Sequence, residues 1–163
     1  MKVLILGATG RTGKLVLKNA LDQGHDVHCL VRNPERIEER AGLTIFEGNP
    51  NNSDNLEKAM TGCDGIISVL NISRTSDFPW APLRTPKTYL SEVMTKLVAL
   101  AEKQQFKRIS ICSAWGVADT KNDIPKWFQW MIACSNIGAA YEDHERQEQI
   151  LSESELNWTI VRP

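Results

Sequence analysis

The sequence predicts an α/β fold: a doubly wound parallel sheet with strand order 3-2-1-4-5-6. Three observations predict it. Apolar strand-like runs alternate with helical stretches along the whole chain. The first run passes straight into three glycines spaced G-x-x-G-x-x-G. The 163 residues, 42% hydrophobic and 24% charged, suit a single domain (1–163) that buries its own core.

Each element follows in turn. "KVLIL" (2–6) is a continuous apolar run, read as a buried strand. Residues 14–24 place apolar side chains at helical spacing and stop at Gly24. Residues 26–32 form the second strand, and 33–40 start a helix with Asn33 at its cap and Pro34 at its first position. A third strand (43–48), a short capped helix (51–60) and a fourth strand (64–70) come next. A long helix (88–105), a fifth strand (107–114), a polar helix (141–155) and a sixth strand (157–163) complete the series. Right-handed crossovers between such units give a Rossmann-like sheet, which binds ligands at the carboxyl ends of strands 1 and 4, where the order reverses. Two stretches exceed ordinary loops: 71–87, with three of the seven prolines, and 115–140. Both follow strands at that edge and read as substrate lids.

Composition narrows the partners. Nineteen basic and 20 acidic residues leave a net charge of −1 with no block of one sign. Nucleic acid and anionic membrane are therefore excluded as main partners. Cys29, Cys63, Cys112 and Cys134 lack C-x-x-C spacing and read as reduced small hydrophobes, with no metal site. No run has the length of a signal peptide or a membrane span, so a cytoplasmic location is expected. Monomer and homodimer both stay open.

Glycine after a strand and before a helix makes room for phosphates. Gly7 permits a tight turn, Gly10 lets a pyrophosphate approach the backbone, and Gly13 lets helix and strand pack closely. Thr9, Arg11 and Thr12 add side-chain donors. An NAD site ends its second strand with an acid that holds the ribose 2′-hydroxyl. Here Arg32 stands in that place, followed by Asn33 and Arg36. Two guanidiniums suit a 2′-phosphate, so NADP(H) is expected over NAD(H); the alternative is that both arginines are merely solvated.

The stretches "GATGRTG", "LVRNPERI", "EGNPNNSDNLEKAMTGCDGIISVL", "RISICSAWGV" and "YEDHERQEQILSESELNWTIVRP" resemble atypical short-chain dehydrogenases of the NmrA-like NAD(P)H-binding family. The resemblance covers nearly the whole chain. It implies that Gly48 and Asn49 lie near the adenine, that Val69, Leu70 and Asn71 run beside the adenosine, and that Ser113 and Ala114 approach the nicotinamide. Many relatives have Asp at Asn49 and Gly at Asn71. Members reduce flavins, biliverdin or quinones, modify sugar nucleotides, or bind the cofactor without turnover. They also continue for several dozen residues past the strand that ends here at Pro163.

The catalytic candidates are Ser113, Tyr141 and His144. Short-chain dehydrogenases pair Tyr with Lys four residues on, but Tyr141 is followed by Glu145, which would raise the phenol pKa. Tyr141 thus reads either as a weak proton donor or as an anchor for its helix. His144 is either a proton source near neutrality or a solvated residue of a Glu-rich face that includes a Glu142–Arg146 pair. Ser113 has no base to make it a nucleophile, and its hydroxyl suits a hydrogen bond to a carbonyl. Hydride transfer to a planar conjugated acceptor (FMN, FAD or a quinone) needs no strong proton donor. Trp80, Trp115, Trp127, Phe128 and Trp130 fall in the two lids. They either stack on such an acceptor or, for Trp127 and Trp130 at i and i+3, form the core face of a lid helix. Two other readings are a cofactor-binding redox sensor with a protein partner and, weaker without the Tyr-Lys pair, an epimerase or dehydratase.

Overall fold

The computed structural model describes residues 1–106 and 108–163. Six parallel strands, β1 (Lys2–Leu6), β2 (Asp26–Val31), β3 (Leu43–Glu47), β4 (Gly65–Ser68), β5 (Arg108–Cys112) and β6 (Trp158–Val161), lie in the expected order β3-β2-β1-β4-β5-β6. Lys107, assigned to the fifth strand from the sequence, lies outside the described residues. Five α-helices connect the strands: α1 (Arg11–Asp22), α2 (Ser53–Met60), α3 (Tyr89–Lys103), α4 (Lys126–Ala133) and α5 (Ile137–Ser152).

β1 is central because it is apolar on both faces. Leu4 and Leu6 point into one core with Leu56 of α2, Val93 and Leu97 of α3, and Leu151 of α5. Val3 and Ile5, one residue out of phase, point into the other with Leu17 and Ala20 of α1. This period of two places helices on both faces, as a parallel sheet requires.

Two expectations are corrected. The helix expected over 33–40 is a single 3-10 turn, Pro34–Arg36, and Ile37 is already extended (φ −125°, ψ 127°). Ile37 is the one large apolar residue in that stretch, so a helix there would have no stripe to bury. The polar helix begins earlier than expected, at Ile137. Glu142, Glu145, Arg146 and Gln149 form the expected solvated face, with the Glu142–Arg146 pair at 3.4 Å, but a second polar face is turned inward. Asp143, His144, Gln147 and Glu148 are all buried.

Burial of these groups is possible because each finds a partner. Asp143, fully buried, accepts from the backbone N–H of Leu90 (2.6 Å) and from the Ser91 hydroxyl (2.5 Å). It thereby caps the first turn of α3 from another helix, satisfying amides that would otherwise be orphaned. Glu148 receives both arms of Arg162, at 3.0 and 2.6 Å, and ties α5 to the end of β6. Asp143→Ala should lower unfolding stability by roughly 3 kcal/mol, because it strands buried donors on α3. Urea denaturation measures this, and a change within about 0.5 kcal/mol would contradict the capping role.

Candidate functional site

Gly7 leaves β1 with φ +86°, and a Cβ there would sit 2.8 Å from the carbonyl oxygen of Val69 at the end of β4. A Cβ on Gly13 would come within 2.1 Å of the Gly7 carbonyl oxygen. Strand, loop and helix therefore meet at backbone contact, a geometry open only to glycine at both positions. The Gly10 N–H closes the turn on the Gly7 carbonyl at 3.0 Å, and no side chain among the described residues caps α1. The first-turn amides of α1 thus face a cleft of about 880 Å³, walled here by Gly7, Thr9, Gly10, Arg11 and Thr12. Gly13 stands behind it and acts through packing.

The cleft continues across the switch point between β1 and β4. Arg32 and Arg36 line one side, and Val69, Leu70 and Asn71 line the other. Neither arginine has a carboxylate partner among the described residues, so both charges are available to a ligand. The Asn71 carboxamide bends back to accept from the Ile72 N–H at 2.8 Å. Asn33, Gly48 and Asn49 do not form the wall. Asn33 caps the 3-10 turn by accepting from the Glu35 N–H at 3.0 Å. Gly48 is packed against the Asn55 side chain, and Asn49 Oδ1 accepts from the Asn51 N–H (3.0 Å) and the Tyr89 hydroxyl (3.4 Å). Tyr89, Arg74 and Arg84, absent from the sequence reading, do line the cleft. Burial pushes the Tyr89 hydroxyl pKa up, with the Arg32 charge opposing it.

The inner end of the cleft holds Ser113, Ala114, Phe128, Tyr141 and His144 together. Ser113 follows β5, is 5% exposed, and its hydroxyl has no partner among the described residues. An unmet buried hydroxyl facing a cleft is a vacancy in hydrogen bonding that a ligand can fill. Phe128 meets Tyr141 edge-on at 6.2 Å between ring centroids. Burial pushes the Tyr141 hydroxyl pKa up. His144 is 3% exposed, and burial lowers its pKa to about 4, against the opposing pull of Asp143 and Glu148. His144 is therefore neutral at pH 7 and does not supply a proton as imidazolium.

Two long segments form the rim and hold each other. The Arg11 guanidinium, in the glycine loop, pairs with Asp77 at 2.9 Å. The Trp80 indole N–H donates to the Cys134 carbonyl at 2.7 Å, and the Asn136 amide donates to the carbonyls of Trp80 (3.0 Å) and Ala81 (3.1 Å). Trp80, Trp115, Trp127 and Trp130 themselves do not wall the cleft. Trp80 is turned toward the joint between the segments, and Trp127 and Trp130 are 67% and 62% exposed on α4. Neither stacking in the cleft nor a buried core face describes them. Phe128, on the other side of α4, is the lid aromatic that reaches inside.

The donor set fits a nicotinamide dinucleotide. Backbone cradle, uncapped helix, free arginines and unmet Ser113 hydroxyl lie along one cleft. Among the described residues no group of three or more His, Cys, Asp or Glu side chains could hold a metal ion. Cys29 and Cys63 are pushed up to about 12 and about 11 by burial, which keeps both as thiols.

The depressed His144 pKa sets a pH dependence. Above pH 6.5 the ring is neutral in both folded and unfolded chains. Between 6.5 and about 4 the unfolded chain binds a proton that the folded chain does not. Stability therefore falls as pH drops through that window, by on the order of 3 kcal/mol in total. Urea denaturation from pH 7 to pH 4.5 should show a shallower fall for His144→Gln than for the parent. Equal slopes would contradict the neutral buried ring.

Comparison with known proteins agrees with this geometry. The family model described as NAD(P)H-binding matches residues 7–163. A photosystem II assembly factor, Ycf39, of Synechocystis is 35% identical over 79 residues, 47% of this chain and 24% of that protein. The matched stretch thus covers about a quarter of that relative's length, and the match to the Ycf39 of Guillardia theta, over 99% of this chain, covers 46% of that protein. Among solved structures, the anaerobillin reductase ChuY of Escherichia coli O157:H7 superposes with a TM-score of 0.80 at 20% identity, covering 100% of this chain and 72% of that one. A short-chain dehydrogenase/reductase of Veillonella parvula, in complex with NADP, gives 0.73 at 21% identity, covering 99% and 68%. These two likenesses are of fold. With the family match extending over all but the first six residues, the chain belongs to the NAD(P)H-binding family.

Proposed function

We propose that this chain is an NADPH-dependent reductase of planar, conjugated acceptors such as flavins (FMN, FAD) or quinones. The observation that carries the reading is the continuity of one cleft from the glycine loop, past Arg32, to Ser113 and the Phe128–Tyr141 wall. When bound, the reduced nicotinamide supplies a hydride. The α1 amides with Thr9 and Thr12 hold the pyrophosphate, and Arg32 and Arg36 hold the 2′-phosphate. Ser113 and Ala114 border the nicotinamide, where the Ser113 hydroxyl gains the partner it lacks. Phe128 and Tyr141 offer aromatic surface to a flat ring and exclude water.

Proton chemistry sets the acceptor class. Tyr141 has no lysine four residues on and its hydroxyl pKa is raised, so it retains its proton at neutrality. A simple ketone would leave a strongly basic alkoxide that needs a proton at once. A conjugated acceptor spreads the charge over its ring and takes the proton from water.

One further reading has specific support. Phe78, Trp80, Trp127 and Trp130 expose apolar surface on segments tied to the glycine loop through Arg11–Asp77. Together with the likeness to an assembly factor, this supports a cofactor-dependent docking module. NADPH absorbance, followed with FMN and then menadione as acceptors and NADH as the parallel donor, separates the two. The reductase reading expects NADPH-selective loss, and Arg32→Ala should raise KM for NADPH about tenfold or more with little change for NADH, the loss of one charge-assisted contact. Tight NADPH binding without turnover on any acceptor would favour the docking module. Equal effects of Arg32→Ala on both cofactors would overturn the NADP assignment.

A further inference from the structure

His144 is not a proton source, yet it sits at the inner end of the cleft with a defined hydrogen-bonding state. Its Nδ1 lies 2.9 Å from Nε2 of Gln147, one turn further along α5. Both residues are buried, at 3% and 2% exposure. In this orientation of the Gln147 amide its nitrogen donates and Nδ1 accepts, which puts the single proton of the neutral ring on Nε2; the opposite amide orientation would put it on Nδ1. That second nitrogen has no hydrogen-bond partner among the described residues, and His144 is one of the residues that line the cleft.

The surroundings keep the arrangement in place. Asp143, the charged neighbour of His144, is engaged by Leu90, Ser91 and Arg146. Glu148 is engaged by Arg162. Neither carboxylate hydrogen-bonds the ring among the described residues, so its proton is not drawn to Nδ1. Ser113, at the end of β5, also lines the cleft and has a buried hydroxyl without a partner among the described residues.

We infer that Gln147 is a positioning residue: it fixes the tautomer of His144 so that the Nε2–H donates a hydrogen bond to a carbonyl oxygen of the acceptor. This rests on the reading of the inner cleft as the acceptor site. A neutral imidazole donates without surrendering its proton, so it orients and polarises the carbonyl while the proton that completes reduction comes from water. The acceptor class narrows accordingly to conjugated rings bearing a carbonyl, such as quinones and flavins, and excludes conjugated acceptors without one.

The test reads the ring directly. Histidine 15N correlation spectra of the full chain saturated with oxidised NADP+ at pH 7 should show Nε2 protonated and Nδ1 bare. A proton on Nδ1, or on both nitrogens, would overturn the assignment. Gln147→Glu, nearly the same shape but an acceptor, should move a proton onto Nδ1, and an unchanged tautomer there would remove Gln147 from its role. Adding menadione to the NADP+ complex, where no hydride is available, should shift the Nε2–H resonance, and no shift would overturn donation to a carbonyl. With NADPH present, Gln147→Met should lower kcat/KM for menadione about tenfold, the worth of one oriented hydrogen bond, with KM for NADPH unchanged. A failure of the reductase reading is distinguishable: turnover would be absent for every acceptor while the spectra still report the ring.

Discussion

The close passage of Gly7 governs the molecule. At the end of β1 the chain lies in backbone contact with Val69 after β4 and with Gly13 in α1, and neither contact leaves room for a Cβ. Three elements converge there because two residues have no side chain. Their convergence aims the first-turn amides of α1 into the crevice that opens where the strand order reverses. Binding surface and packing are thus one feature, and a change at either glycine would disturb both.

From that point outward the cleft is built by contrasting means. The outer part is electrostatic: Arg32 and Arg36 follow β2, exposed and free of carboxylate partners among the described residues. The inner part is uncharged: Ser113 offers a neutral hydroxyl, and burial favours the neutral forms of Tyr141 and His144. A dianionic phosphate suits the first environment. A flat ring that accepts hydride suits the second, where low polarity strengthens each remaining hydrogen bond. α5 makes the inner part possible, since Asp143 fastens it to α3 and Glu148 fastens it to β6.

Much of this was legible in the sequence, for identifiable reasons. The strand order followed from alternating patterns, and the cradle followed from glycine spacing between a strand and a helix. The place of Arg32 in the cleft wall was legible because it directly follows β2, at the carboxyl edge of the sheet where this fold binds ligands. The buried polar face of α5 was not legible. Asp143 meets Leu90 53 residues away, and Glu148 meets Arg162 14 residues away. Without knowledge of those partners, a charged helix reads as solvated. The tryptophans misled for a related reason: composition put them in the lid segments, but which side of α4 faces the cleft depends on how it packs, and that favours Phe128. Arg74 and Tyr89 lie outside any motif and enter the cleft only through folding of 71–87 and the start of α3.

A cleft with two arginines free of carboxylate partners among the described residues should prefer a 2′-phosphorylated dinucleotide, as proposed above. Calorimetric titration of the unmodified chain with NADP+ and then NAD+, at one ionic strength, tests it most directly. The account predicts one site per chain for NADP+, with an affinity at least about tenfold above that for NAD+, as two free arginines facing a dianion require. Equal affinities, or tighter binding of NAD+, would contradict it.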